Sequence, residues 1–188
     1  MSLTITDLED LQEEHPDWQM ELVDGNIIVM GPSDYESEEI GTQFSAKLWI
    51  WVHPRRLGRV TGSSAGFILP QLEKDQAKKR NLRAPDVSFV RAHRLKRTQR
   101  NFVELVPDLI VEVKSRTDKI EQLVDKIQIF LSLGTEVGIL IDPDELTLTV
   151  YQLNQAAQVL QDGDVLKLPN LLPGWELAIS DIWPPVFE

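Results

Sequence analysis

Cysteine is absent from this chain. Its absence excludes a disulfide framework, thiolate zinc sites and cysteine nucleophiles, and it suits a reducing compartment. Histidine is scarce: His15, His53 and His93 stand alone, none with a partner at the spacing of a zinc site. No apolar run approaches the ~20 residues that cross a bilayer. The opening stretch MSLTITDLEDLQEEHP is acidic and lacks the apolar centre of a secretory signal. A soluble, cytoplasmic protein is expected. Also missing are a glycine-rich loop followed by lysine, which would cradle nucleotide phosphates, and a G-x-S-x-G frame around Ser63-Ser64, which would mark a serine hydrolase.

Positive charge is short overall. A formal net charge of −11 argues against a general nucleic-acid binder, because phosphate contacts need Lys and Arg. The shortage is uneven. Nine of the 19 basic residues lie between Lys78 and Arg100 (Lys78, Lys79, Arg80, Arg83, Arg91, Arg94, Lys96, Arg97 and Arg100), where Asp86 is the only acid. That segment is either a solvated face or a phosphate-attracting patch around one buried acid.

At 188 residues the chain fits one domain. A helix and hairpin occupy about 4–31, a core about 35–151, and C-terminal strands and tail 152–188. Thr6-Asp7-Leu8-Glu9 has the form of a capping box and opens a helix that ends near Glu14. Asp24-Gly25 between apolar runs predicts a hairpin with a type I′ turn. Ile40, Phe44, Leu48 and Trp51 recur at helical spacing, predicting a helix over 35–52. Short strands are expected over 59–69 and 85–90, with a basic helical turn over 94–101. Leu109 to Val113 has the continuous apolar character of a buried central strand, apart from Glu112. The stripe from Ile120 to Leu131 predicts a helix over 118–133 that stops at Gly134, and Val137 to Ile141 a second buried strand. Strand–helix–strand implies a parallel pair with a right-handed crossover. The fold class is therefore α/β with a mixed, curved β-sheet flanked by helices.

Glu112 and Lys114 carry the chemistry. Two apart on a strand, they are expected on one face, with Ile110, while Leu109, Val111 and Val113 pack the other. A carboxylate in a buried strand needs a cation or metal to neutralise it; a structural ion pair with Lys114 is the plain alternative. Asp86, heading a strand in Arg83-Ala84-Pro85-Asp86-Val87, can bring a second carboxylate to the same point. Asp108, after Pro107, competes for that role. It lies four residues from Glu112 on one strand, roughly 13 Å away, too far to share a magnesium ion with it.

An Asp at a strand start followed by Glu-x-Lys on the next strand resembles the PD-(D/E)xK nuclease superfamily. Further stretches narrow the likeness: MELVDGNIIVMGPS, GRVTGSSAGFILP, RAPDVSFV, PDLIVEVKS, DKIEQLVDKIQIFLSLG, VGILIDP and LLPGWEL. In this order they resemble a restriction-endonuclease-like family of unassigned function that is expanded in photosynthetic bacteria. The resemblance implies a restriction-endonuclease-like core and Mg²⁺, with Mn²⁺ as a substitute. It also implies hydrolysis of DNA phosphodiester bonds, with Asp86 and Glu112 as metal ligands and Lys114 beside the attacking water. Relatives that replace that lysine point to one on the following helix, here Lys126. Superfamily members also add an acid from the helix before the sheet; Glu36, Glu38 and Glu39 all fall in the first turn of the helix here, with Glu36, which shares the face of Ile40, favoured and Glu39, next to Ile40, second. Glu21 in the hairpin is read as a structural cross-strand residue. A homodimer is expected by analogy with nucleases that cut two strands, and an outward Trp49 or Trp51 would suit the contact. Two other readings remain: a silent nuclease-fold module that binds nucleic acid or protein, which the net charge favours, and a hydrolase of another phosphoester.

Overall fold

A computed structural model describes residues 2–70 and 81–187. Helix α1 (Ile5–Glu14) leads into strands β1 (Gln19–Val23) and β2 (Asn26–Met30). The capping box lies two residues earlier than the sequence pattern placed it: Thr4 is the N-cap and Asp7 its reciprocal partner. The β1–β2 turn has positive φ at both Asp24 and Gly25, as a type I′ turn requires. Helix α2 (Tyr35–Val52) follows, and then β3 (Gly58–Thr61), β4 (Phe67–Leu69), β5 (Asn81–Arg83), β6 (Val87–Arg91) and β7 (Leu109–Val113). Helix α3 (Ile120–Ser132) crosses over to β8 (Val137–Asp142), and β9 (Thr147–Tyr151), β10 (Gln158–Gln161), β11 (Val165–Lys167) and β12 (Glu176–Ala178) complete the chain. Three elements depart from the sequence expectations. Residues 94–101 form turns and bends, not a helical turn, and β5 and β12 are strands too short to carry a visible alternation.

The strands form two main sheets and a small pair. One sheet has the order β2-β1-β5-β4, and the mixed six-stranded sheet runs β10-β9-β8-β7-β6-β3. β7 and β8 pair in parallel and are joined by α3; their neighbours pair antiparallel. Alternation along β7 divides the core between the two helices. Leu109, Val111 and Val113 pack under α2 with Ile40, Phe44 and Leu48, while Ile110 packs under α3 with Ile127 and Phe130. Each such side chain contributes roughly 1.5–3 kcal/mol through burial, so the parity of β7 is strongly held, and Glu112 goes with Ile110 to the α3 side. The approach of α3 is close: a Cβ on Gly138 of β8 would collide with Ile127.

Candidate active site

The two sheets meet at a seam. β5 ends at Arg83 and β6 begins at Val87, so only Ala84-Pro85-Asp86 carries the chain from one sheet to the other. The β6–β7 register sets Val87 against Val111 and Ser88 against Ile110; continuing it by one step brings Asp86 beside Glu112. Asp86 Oδ2 accepts a hydrogen bond from the Val113 N–H at 2.7 Å. Glu112 is 2% exposed. The Lys126 ammonium lies 3.0 Å from its carboxylate, 3.1 Å from Glu21 Oε1, and donates to the Ala84 carbonyl at 3.1 Å. Three acceptors match the three donors of an ammonium. Glu21, also buried, accepts from the Ala84 N–H at 2.8 Å and from Arg83 Nη1 at 3.1 Å.

Electrostatics follow from this crowding. Burial pushes Glu112 up to about 8; Lys126 opposes the rise and the Asp86 charge adds to it. Asp86 is raised as well, chiefly by burial, with Lys126 and the Val113 N–H opposing and Glu38 and Asp118 assisting. Burial alone would lower Lys126, but the carboxylates of Glu112, Glu21 and Asp86 together outweigh it and hold the ammonium above its ordinary value. Burial would raise Glu21, yet Lys126, the Ala84 N–H and Arg83 keep it below the usual carboxylate range. The site is thus short of positive charge at Asp86 and Glu112.

A cleft of about 600 Å³ opens onto Asp86, Glu112 and Lys126, with Glu38, Asp118 and Arg116 on its rim. Its residues fit a divalent cation. Glu112 Oε1 is buried without a hydrogen-bond donor in good geometry, and the Asp86 charge across the pocket raises Glu112. Among the described residues no three His, Asp or Glu side chains are gathered into a ready cage, but magnesium is commonly held by one or two carboxylates with water and substrate oxygens.

Asp86, Glu112 and Lys126 therefore come together, and Lys114 does not join them. It lies one residue beyond β7, its N–H still donating to the Ile141 carbonyl at 2.9 Å, and continuing the β7–β8 register sets it opposite Asp142. It pairs with Asp142 at 3.1 Å and with Asp144, and lines a separate hollow with Tyr35, Glu36 and Arg116. Glu36 faces that hollow, and Glu39 accepts from Gln43 at 3.4 Å. The helix acid on the cleft is Glu38. Helix α2 presents its apolar stripe to the sheet, whereas the cleft sees its small residues: Ser37, Gly41 and Ser45 border a hollow shared by Glu38 and Asp86. The signal for Glu38 was that small-residue stripe, not the apolar one. The signal for Glu21 was an acid flanked by Met20 and Leu22 in a strand buried on both sides. Asp108 lies at the far end of β7, accepting from the Arg91 N–H at 2.8 Å and from Arg94 at 2.8 Å. Of the basic segment, Lys78, Lys79 and Arg80 lie outside the described residues. Arg83 turns inward to Glu21, and the residues from Arg91 onward follow β6 away from the cleft. Among the described residues the cleft's cationic side chains are Arg116 and Lys126.

The family model described as "Uma2: Putative restriction endonuclease" matches residues 5–180. The chain belongs to this family. A similar solved structure is the crystal structure of a putative nuclease belonging to DUF820 from Anabaena variabilis. It is 23% identical, with 87% of this chain and 88% of that one covered and a TM-score of 0.73. The likeness shows that this Uma2 chain has the fold of that protein. Comparison with curated proteins finds no match. No helix among the described residues is long and apolar enough to cross a membrane.

Proposed function

We propose that this Uma2 protein is a metal-dependent endonuclease that hydrolyses DNA phosphodiester bonds. The observation that carries the reading is the pair of carboxylates, half-buried Asp86 at the entry to β6 and buried Glu112 on β7, beside a fully coordinated ammonium. Asp86 and Glu112 would hold Mg²⁺ or Mn²⁺, and Glu38 stands at the rim as a third acid. Such an ion, when bound, makes a water more acidic and offsets charge on the phosphoryl group. Lys126 supplies a fixed positive charge toward the same place. Held by three acceptors, it keeps its proton, so its role is electrostatic and not that of a base. Lys114, engaged by Asp142 and Asp144, takes no part in this scheme. Cutting both strands of a duplex would employ two copies, and Trp49 and Ile50, exposed on α2, offer a face for a homodimer.

The test is plasmid nicking with Mg²⁺, Mn²⁺ or EDTA, beside Asp86→Ala. Loss of supercoils by the wild type alone, and only with metal, is the expected outcome. DNA binding without cleavage under every metal condition would instead favour the silent module that the net charge of −11 suggests.

A further inference from the structure

Arginine gathers at the pole of the molecule opposite the cleft. Asp86 precedes β6 and Arg91 ends it, so five residues of strand separate the cleft from this pole by roughly 16 Å. Because β3 pairs antiparallel with β6, with Gly58 against Arg91, the loop 53–57 arrives at the same end. The two loops are joined directly: the Ala92 N–H donates to the Leu57 carbonyl at 2.9 Å, and the Arg59 guanidinium donates to the carbonyls of Leu95 and Lys96, both at 2.9 Å. They form one surface.

The cations of that surface fall into two groups. Arg91 and Arg94 are neutralised by Asp108 and Glu136 and serve the fold. Arg56, Lys96, Arg97 and Arg100 are exposed, and among the described residues none makes an ion pair. Arg55 sits over Trp51, 3.5 Å from its ring centre, and donates to the Trp51 carbonyl at 3.2 Å. Arg59 adds a charge that no described carboxylate offsets. A concentration of unneutralised arginine in a protein of net charge −11 is held against the repulsion of its members, and it fits a polyanion. Arginine forks match phosphate oxygens in particular.

We propose that this pole is a second nucleic-acid contact, which grips the phosphate backbone of a duplex at a distance from the cleft. The proposal rests on the nuclease reading and adds to it a remote anchor. A groove along the edge strand β3 links the two places. It is lined by Arg59 and Arg100 and reaches Ser64, which also borders the cleft. Glu9, Asp10 and Glu13 of α1 line the groove too, repelling phosphates and confining a strand to the β3 side. The anchor also answers how an acidic protein would hold DNA at all: attraction is local, and the rest of the surface disfavours contact.

The experiment uses the full chain with Arg56→Asn, Lys96→Ser, Arg97→Ser and Arg100→Ser combined. These side chains are exposed, and Asn tolerates the positive φ of position 56, so the fold is kept. Binding of a fluorescein-labelled DNA duplex of about 40 base pairs is followed by anisotropy in EDTA across a salt series starting near about 50 mM; each lost phosphate contact lowers the slope of log affinity against log salt by about 0.9. The expected result is at least tenfold weaker binding and a slope reduced by about 3.6. Unchanged affinity and slope in the combined variant would overturn the anchor, and continued plasmid nicking would show that the nuclease reading stands without it. A wild type that binds no duplex in EDTA yet nicks plasmid with Mg²⁺ has the same meaning. Failure of both binding and nicking removes both. Loss of self-association in sedimentation, with DNA binding unmoved, would overturn the anchor in favour of an acidic face on a second copy.

Discussion

Lys126 is held between Glu112, Glu21 and the Ala84 carbonyl, and Lys114 between two aspartates outside the cleft. Substituting the two gives opposite results. Lys126→Met should lower metal-dependent nicking by about 100-fold or more, as loss of a charge aimed at the transition state does. Lys114→Met should leave it nearly unchanged. Comparable loss in both variants, measured as initial nicking rates, would return Lys114 to the reaction. Asp86 and Glu112 were legible as a pair because each is an acid in an apolar strand context, where burial demands a partner. The division of labour between the lysines was not. It depends on Asp142 at the end of β8 and Asp144 just after it drawing Lys114 to themselves, a tertiary fact that period-two alternation does not contain. Glu38 was ranked behind Glu36 and Glu39 for a related reason: the apolar stripe of α2 points at the sheet, and the cleft lies to one side of it.

Helix α2 begins with a latch. Asp34 caps it by accepting from the Ser37 N–H at 3.0 Å and reaches across to the Arg116 N–H at 2.9 Å. These bonds hold its carboxyl below the ordinary aspartate value. A lowered folded-state pKa contributes stability that is present above the unfolded value near about 4 and is lost as pH falls through the folded one. Asp34→Ala should therefore cost about 1 kcal/mol at neutral pH, and the gap from the wild type should close in denaturant titrations run below about pH 4. The longer helices were readable from spacing because their stripes are long. α3 was expected over 118–133 and spans Ile120–Ser132, whereas β5 and β12, three residues each, are defined by their partners. The close approach of α3 was also invisible in sequence. Gly138→Ala forces a methyl into the stiff Ile127 side chain and should cost about 1–3 kcal/mol. Because Lys126 is the neighbour of Ile127, nicking should fall by more than the loss of folded protein explains.

At the scale of the whole molecule, Glu21 of the hairpin sheet holds Arg83 of the same sheet and Lys126 of α3, and that ammonium also holds Glu112 of the six-stranded sheet. Glu21→Leu leaves two buried cations short of a partner, a change worth about 3–5 kcal/mol. For a chain of this length that corresponds to a melting temperature lower by roughly 10 °C. A shift of only a degree or two in calorimetry would mean that the seam is held by apolar contacts alone. The α/β class and the parallel crossover were legible because hydrophobic period and element order suffice for them. The seam was not, since it rests on Glu21 of β1 and Glu112 of β7, on strands far apart in sequence, meeting at one ammonium of α3.

Helix α3 starts at Lys119 without a side-chain cap, and its second turn carries the site's ammonium, while both carboxylates stand on or beside sheet strands. Warming should loosen the first turns of that helix before the β-structure yields. Enzyme incubated a few degrees below its melting transition would then be disarmed while its sheet signal in circular dichroism stays whole, and cooling would restore its cutting without any refolding lag.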